Sequence, residues 1–566
     1  MRHGARCACT LWTATLLLVA PAARPQAPDA GGPASWHVGQ QVDLLYASQV
    51  HFDSAGVPQV TIGMAEGLQG VELSAATGLS IEFVEDAGGV AGVEKKLRLP
   101  AAARLIVSSA GAHPAEVAYY CGVQRLPYGK RREVEQQRRW WSQRGEQVSI
   151  FETGSVLGLA GQVIDNRTFI LAVRRVDTAE QAAATARELF SATGRKTFVH
   201  AHLLRRPGGL LDLRDADGLP LARARDLVLV RAVAAEVAVV AVAGDGGRRS
   251  FSLAGEVLIT FDRTGKLVVV NRIGIEKLLA GLVPAEISAQ VHPQALRAQA
   301  VVARGEVFAK LGARHFLDPY LLCASTHCQV YGGSGVENER ASAAVRATRG
   351  EILFLNGKLV DTVYSASCGG HGENNDDVWS DPPSPALRGH PDVAAGLTLL
   401  LPPADEDPRA WLEAEVPAFC RRSSLNRPGI FRWEKVVDAR KLEELVAEVK
   451  PVGKVMALQV LERGVSGRAK VLRVVGTRGE LVIQRELAIR RLLGGLKSAL
   501  FVLQVERDAQ QLPVAFHFLG GGWGHGVGLC QIGAVGMAEA GYDYRAILAH
   551  YYGGARVVRL YGNRSP

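Results

Sequence analysis

The sequence predicts an α+β protein: mixed helices and antiparallel hairpins, preceded by a β-rich region and a small β-α-β module. Three observations carry this. Between 36 and 154, short apolar runs are broken by Gly and Asp, as at Val60-Thr61-Ile62 before Gly63, and Leu97 and Leu99 alternate around Arg98, the pattern of short strands. Between 155 and 210, strands at 168–173 and 196–202 flank an Ala-rich helix at 178–193 that Gly194 ends. Between 250 and 555, hairpins and helices alternate.

Each element of that last region has a local cause. Asp262-Arg263-Thr264-Gly265 is a Gly-bearing turn between apolar runs at 255–261 and 266–270. A short helix at 275–282 follows. A longer helix opens at Pro293, a residue suited to the first helical position. In it Leu296, Ala300, Ala303 and Val307 fall on one face at offsets of 4, 7 and 11. Glu286 is thereby expected in an irregular connection between the two helices, where a side chain can be displayed into a cleft. Asn356-Gly357 is a turn between strands at 351–355 and 358–364. The outgoing strand delivers Ser365, Ser367, Cys368, Gly369, Gly370 and His371 to one end of a sheet. The stretch 405–450 reads as an insertion with helical character, notably at 441–449.

With 566 residues, two or three domains are expected. Hydrophobic residues at 48% and charged residues at 21% argue against disorder. The net charge of +9 favours an acidic partner surface, but the basic residues are dispersed apart from Lys130-Arg131-Arg132, so nucleic-acid binding has little support. Residues 1–23 have the layout of a secretory signal peptide: Arg2 and Arg6, an apolar core at 11–20, then Ala20-Pro21-Ala22-Ala23. A linker of Pro, Ala and Gly is expected at 24–35. No later apolar run reaches ~18 uninterrupted residues, so no transmembrane segment is expected. Secretion or a periplasmic location follows as the expectation. Cys7 and Cys9 would leave with the signal, and the remaining six of eight cysteines could form disulfides in an oxidising compartment.

The densest local signal is Gly520-Gly521-Gly522-Trp523-Gly524-His525-Gly526-Val527-Gly528-Leu529-Cys530-Gln531. Glycines there let backbone approach a ligand closely, although a Gly-rich hairpin around a structural tryptophan is the plain alternative. It gains weight from an ordered series of segments. These are Leu282-Val283-Pro284-Ala285-Glu286, Ala295-Leu296-Arg297-Ala298-Gln299-Ala300 with Arg304, and Gln329-Val330-Tyr331-Gly332. Thr348-Arg349-Gly350, Ser365-Ala366-Ser367-Cys368-Gly369-Gly370-His371 with Trp379, Ser466-Gly467-Arg468, and Leu496-Lys497-Ser498 follow. The Trp523–Gly528 loop, Gln531-Ile532-Gly533-Ala534 and His550-Tyr551-Tyr552 close the series. In this order, over roughly 255–553, the chain resembles the stage II sporulation protein D and amidase-enhancer family of bacterial cell-wall proteins. More loosely, 155–210 resembles the sporulation-related repeat that binds wall glycan, an unspecialised α+β unit being the alternative.

The family resemblance implies a glycan-binding cleft and a lytic transglycosylase of peptidoglycan glycan strands, particularly those stripped of stem peptides. The muramyl 6-hydroxyl would displace the neighbouring sugar and leave a 1,6-anhydro end. One acid/base suffices, whereas hydrolytic glycosidases usually need two carboxylates. Glu286 matches the family's catalytic position and needs a raised pKa through partial burial. Arg304 matches the second functional position, to orient the acid or hold a sugar oxygen. Gln329, Tyr331, Ser365, Ser367, His371 and Trp379 are groove candidates, with His525 and Gln531 from the C-terminal loop. His525 reads equally well as a structural histidine. Read alone, Glu286 would pass for a helix cap or a surface charge.

No cofactor is required by that chemistry. His315, Cys323, His327 and Cys328 form an H-x7-C-x3-H-C set, and the resemblance implies zinc on two His and two Cys in this region. A Cys328–Cys368 disulfide competes with it, and Cys530, where the family commonly has serine, is either a small buried residue or a partner of Cys420. The other functional class is a non-catalytic, glycan-binding enhancer of a cell-wall amidase. A serine hydrolase lacks its Gly-x-Ser-x-Gly elbow, and a Cys328–His327 thiol nucleophile is weakly supported.

Overall fold

A computed structural model describes residues 38–562, apart from 48–49, 88–89, 160, 326, 380–381 and 398–407. The expected signal peptide at 1–23, the linker at 24–35, Cys7, Cys9 and the start of the 405–450 insertion lie outside the described residues.

The described chain is α+β: mixed helices and antiparallel sheets, organised on a barrel. Six strands close on one another: β1 (Pro58–Ser74), β2 (Arg104–His113), β3 (Gly208–Arg214), β4 (Pro220–Ala232), β5 (Glu256–Phe261) and β6 (Leu267–Gly274). Around the ring β3 pairs with β2, β2 with β1, β1 with β6, β6 with β5, β5 with β4, and β4 returns to β3. β1 serves two neighbours because it bends. Its first half pairs with β6, its last five residues with β2, and register shifts between them add the curl that closure needs. Alternation sorts the side chains of the β5–β6 hairpin. Val257, Ile259, Phe261, Leu267 and Val269 enter the main core, while Leu258, Val268 and Val270 meet a second one with Val42, Leu45 and Tyr320. The expected turn is present, with Gly265 at φ 83° and the Asp262 carboxylate accepting from the Thr264 and Lys266 backbone N–H groups.

The boundaries expected from the sequence are not boundaries of this sheet. Strand β1 of the 36–154 region pairs directly with β6 of the 250–555 region, so the two share one core. The module expected at 155–210 is also larger. Strands Glu116–Pro127, Ser149–Thr153, Thr168–Val176 and Phe198–Arg205 form one antiparallel sheet, with helices Arg131–Ser142 and Ala179–Thr193 in a β-α-β-β-α-β order. Glu116–Pro127 lies between the two strands seen in the sequence. This is the split β-α-β arrangement. The described part of the 405–450 stretch is built into the fold. Its strand Arg432–Asp438 pairs with Pro513–Gly521, and helix Ala439–Val449 packs into a satellite core with Leu472, Phe516 and Phe518.

Helix α1 (Ile275–Glu286) continues from β6, and α2 (Pro293–Lys310) follows. α2 is buried on nearly every side, as a helix at the centre of a layer must be. Helix α3 (Gln531–Glu539), buried along almost its whole length, packs against it. Among the described residues, no helix is long and apolar enough to cross a membrane.

Candidate functional site

Glu286 is the last residue of α1, not part of an irregular connection as the sequence suggested. A proline in the final turn forfeits only its own N–H bond, and Ile287 N still donates to the Val283 carbonyl at 3.1 Å, closing the turn. Ile287 is extended, so the Glu286 side chain is displayed at a helix end, partly buried. Burial, and then the charge of Glu306, push its carboxyl above the usual carboxylate range. A Tyr364 hydroxyl bond, a Val330 backbone bond and the Lys310 charge work in the opposite direction. Gln531, the first residue of α3, donates from Nε2 to the Glu286 backbone carbonyl at 3.2 Å and also approaches Gln299 Oε1 at 3.4 Å.

Four of the neighbours that define this site escaped the sequence reading. Glu306, on α2, is ion-paired with Lys310 and accepts from Gln329 Nε2 at 2.6 Å. Tyr364 hydrogen-bonds both Glu286 and Glu306, and burial, then those two charges, hold its hydroxyl far above the ordinary tyrosine range. Gln299 is fully buried. Glu306 had one legible signal: it is the sole acid in this helix. Two polar atoms of the cluster, Gln329 Oε1 and Gln299 Nε2, are buried with no partner within the protein. Such groups are rare unless a ligand or water meets them.

Arg304 does not join this cluster. It is 0% exposed, and both arms of its guanidinium meet the Glu276 carboxylate at 2.8 Å, with a third bond to the Glu351 carbonyl at 3.0 Å. None of the bonds that hold Arg304 involves Glu286. Several groove candidates are also framework. Tyr331 is buried, with its hydroxyl 3.4 Å from Asn271 Oδ1. Ser367 is fully buried and Ser365 nearly so, its Oγ accepting from Gly526 N at 3.2 Å. His371 is buried against Trp411 and its Nδ1 donates to the Gly372 carbonyl at 2.7 Å; burial pushes its pKa down to about 4.

His525 takes the structural reading. Its Nδ1 accepts from Val527 N at 3.0 Å, so the proton lies on Nε2, which donates to the Tyr364 carbonyl at 2.9 Å. Burial holds the ring neutral, its pKa pushed down to about 3. His525 therefore positions the backbone of the tyrosine that touches Glu286. Its ring lies 4.9 Å from Trp379. The glycines around it are needed for close approach: at Gly526 (φ 79°) a Cβ would lie 2.6 Å from the Arg468 guanidinium. Trp523, in the same loop, is 45% exposed with Lys497 Nζ 5.3 Å from its ring centre.

The cysteines fall into two clusters, and all six described ones are unbridged. Cys328 and Cys368 do not pair, and neither do Cys420 and Cys530. Cys328 Sγ lies 3.3 Å from His315 Nε2, and His327 Nδ1 lies 3.6 Å from Cys323 Sγ and 3.8 Å from Cys328 Sγ. One donor atom from each residue lies within 4.8 Å of all the others. His315 Nδ1 is held by Asp318 at 2.9 Å, which leaves Nε2 to face the sulfurs. Two thiols, two imidazoles and a carboxylate behind one imidazole form a donor set that suits tetrahedral zinc.

Residues 263–355 match the family model described as stage II sporulation protein, and 373–528 match a domain of unknown function. The first match covers Glu286, Arg304, Glu306 and Gln329. The chain is 28% identical to the amidase enhancer of Bacillus subtilis (strain 168) over 299 residues, 49% of this chain and 39% of that protein. It is 25% identical over 302 residues to stage II sporulation protein D of Bacillus amyloliquefaciens, covering 51% of this chain and 75% of the relative. Over about half its length, this chain resembles the stage II sporulation protein D and amidase-enhancer family. An uncharacterized protein of Brachyspira hyodysenteriae (strain ATCC 49526 / WA1) is 27% identical over 292 residues, 52% of this chain and 68% of its own length.

Proposed function

We propose that this chain is an exported cell-wall enzyme that cleaves peptidoglycan glycan strands by lytic transglycosylation, with Glu286 as the single acid/base. The observation that carries this reading is the Glu286 environment: a partly buried carboxyl at a helix end, raised by burial and by Glu306, and touched by Tyr364. A raised carboxyl keeps the proton that a glycosidic oxygen needs on departure. The proton passes from Glu286 to the leaving 4-oxygen of N-acetylglucosamine as the bond from muramyl C1 breaks. The muramyl 6-hydroxyl then attacks C1, and its proton returns to the Glu286 carboxylate. No water is consumed, and the acid is regenerated.

The remaining residues hold this acid. Gln531 and His525 fix the Glu286 backbone and the Tyr364 backbone respectively, while Gln329 and Lys310 fix Glu306. Trp523 and Trp379 are the aromatic surfaces available to a sugar ring. The reaction itself calls for no cofactor. His315, Cys323, His327 and Cys328 would hold zinc as a structural cross-link, next to Gln329 and to Lys310, whose ammonium donates to the Cys328 carbonyl. The substrate proposed is glycan freed of stem peptides, in a secreted or periplasmic, wall-associated setting.

The similarity to an amidase enhancer supports a second reading, in which the chain binds glycan for a partner amidase without cutting it. Mass spectrometry of peptidoglycan digests separates the two: 1,6-anhydro muramyl ends belong to the enzyme, and bound but intact glycan to the enhancer.

A further inference from the structure

The second cysteine cluster is not part of the Glu286 site, and its chemistry is specific. Cys368, Cys420 and Cys530, from three distant segments, converge on Asp392, and one donor atom from each lies within 4.8 Å of the others. All four are at most 2% exposed. Cys368 Sγ and Cys420 Sγ are 3.6 Å apart. A disulfide needs about 2.05 Å. Two thiolates on one tetrahedral zinc, each bonded at about 2.3 Å, stand about 3.8 Å apart. The observed separation rules out a bridge and is close to that of co-ligands.

The surroundings of Cys530 are those of a sulfur anion, not of a small apolar side chain. Cys530 Sγ accepts two backbone N–H groups, from Cys368 at 3.2 Å and from Gly533 at 3.3 Å, the second from the first turn of α3. Asp392 is fixed by Tyr551 Oη, which donates to Oδ1 at 2.7 Å, and by Cys420 N, which donates to Oδ2 at 3.0 Å. His550 Nε2, buried without a hydrogen-bond partner, stands 3.6 Å from Oδ1. A Cβ at Gly533 would lie 2.2 Å from the Tyr551 hydroxyl and 2.9 and 3.0 Å from the two Asp392 carboxylate oxygens, so glycine here leaves room for the Tyr551–Asp392 pair. Three thiolates and a carboxylate leave a dication with surplus negative charge. Arg468 Nη2 donates to the Cys368 carbonyl and Arg432 Nη1 to the Gly369 carbonyl, both at 2.8 Å, and supply positive charge beside it.

We propose that Cys368, Cys420, Cys530 and Asp392 form a second, structural zinc centre, separate from the His315 cluster and independent of whether the chain cuts glycan. Binding would release the three thiol protons. The ion would tie the Ser365–His371 loop, the helix Phe419–Arg422 and the start of α3 to one point. That point is one residue from Gln531, which holds the Glu286 carbonyl.

The test is zinc stoichiometry by elemental analysis on the full chain, purified under reducing conditions and supplied with zinc. Cys420→Ser should lose one zinc per chain relative to wild type, and Cys323→Ser should retain that same zinc. X-ray absorption on wild type adds a readout that needs no variant to fold. It should give three sulfurs per zinc if this centre alone is filled, or about 2.5 if the His315 cluster is filled too. Zinc content unchanged by Cys420→Ser would overturn the proposal. So would a Cys368–Cys420 disulfide in unreduced peptide maps of the protein as exported, or two sulfurs per zinc in wild type.

Discussion

Gln531 Nε2 donates to the backbone carbonyl of Glu286 at 3.2 Å across 245 residues of sequence. That single bond joins the Gly-rich C-terminal loop to the helix end that carries the proposed acid. It explains why two segments that are unremarkable apart form one site.

Stability should depend on the Glu286 proton. Its carboxyl is raised in the folded protein, so between the unfolded and folded pKa values the folded state binds more protons, and stability falls as pH rises through that window. Glu286→Gln removes the buried charge. The variant should melt higher than wild type at pH 7, and the gap should close as pH falls below about 4.3, the unfolded glutamate value. Thermal melts at the two pH values check this, and a variant less stable at pH 7 would contradict it.

Tyr364→Phe removes a hydrogen bond that favours ionised Glu286. The Glu286 pKa should rise further, moving the alkaline limb of kcat/KM to higher pH, because the acid must be protonated to act. The rate at the optimum should fall by roughly tenfold or more through the lost positioning bond. A pH–rate profile with an unmoved alkaline limb would refute the coupling.

Arg304 predicts a different signature. Arg304 is fully buried and Glu276 largely so, so Arg304→Ala leaves that carboxylate with only its Tyr561 and Gly350 donors and no counter-charge from Arg304, a loss of about 3 kcal/mol of stability. The double change with Glu276→Ala should cost clearly less than the sum of the two single changes. Urea unfolding measures both. A variant of normal stability but lost activity would instead return Arg304 to a catalytic role.

Trp523 is exposed beside Lys497, and its ring is the face proposed to stack on a sugar. Trp523→Ala should raise KM roughly 5–10-fold, the worth of about 1–1.4 kcal/mol, with kcat little changed. Steady-state kinetics on soluble glycan fragments would show it.

Local features of the fold were legible in the sequence. Asn356-Gly357 forms the expected turn, with φ of 50° and 73°, and Asp262–Gly265 closes the β5–β6 hairpin. Non-local ones were not. β1 finds β6 about two hundred residues on, and β3 finds β2 about a hundred residues back, pairings that leave no mark on either strand's own pattern. The site divides the same way. Glu286 and Gln531 were singled out through the ordered resemblance, since locally a glutamate at a helix end reads as a cap. Tyr364 and Glu306 needed the fold, because both act on Glu286 through proximity: Glu306 raises its carboxyl and the Tyr364 hydroxyl opposes that rise. Arg304 was singled out by motif, and the fold shows that it meets Glu276: sequence spacing marks that an arginine is there, not which carboxylate it meets.

The central claim is that Glu286 shuttles one proton while the substrate's own hydroxyl attacks. The direct test incubates the mature protein and its Glu286→Gln variant with intact and amidase-treated peptidoglycan and analyses the products by mass spectrometry. The account predicts 1,6-anhydro muramyl ends from wild type only, and more of them from the amidase-treated glycan. Reducing muramyl ends, anhydro ends from both proteins, or glycan bound but uncut by both would contradict it.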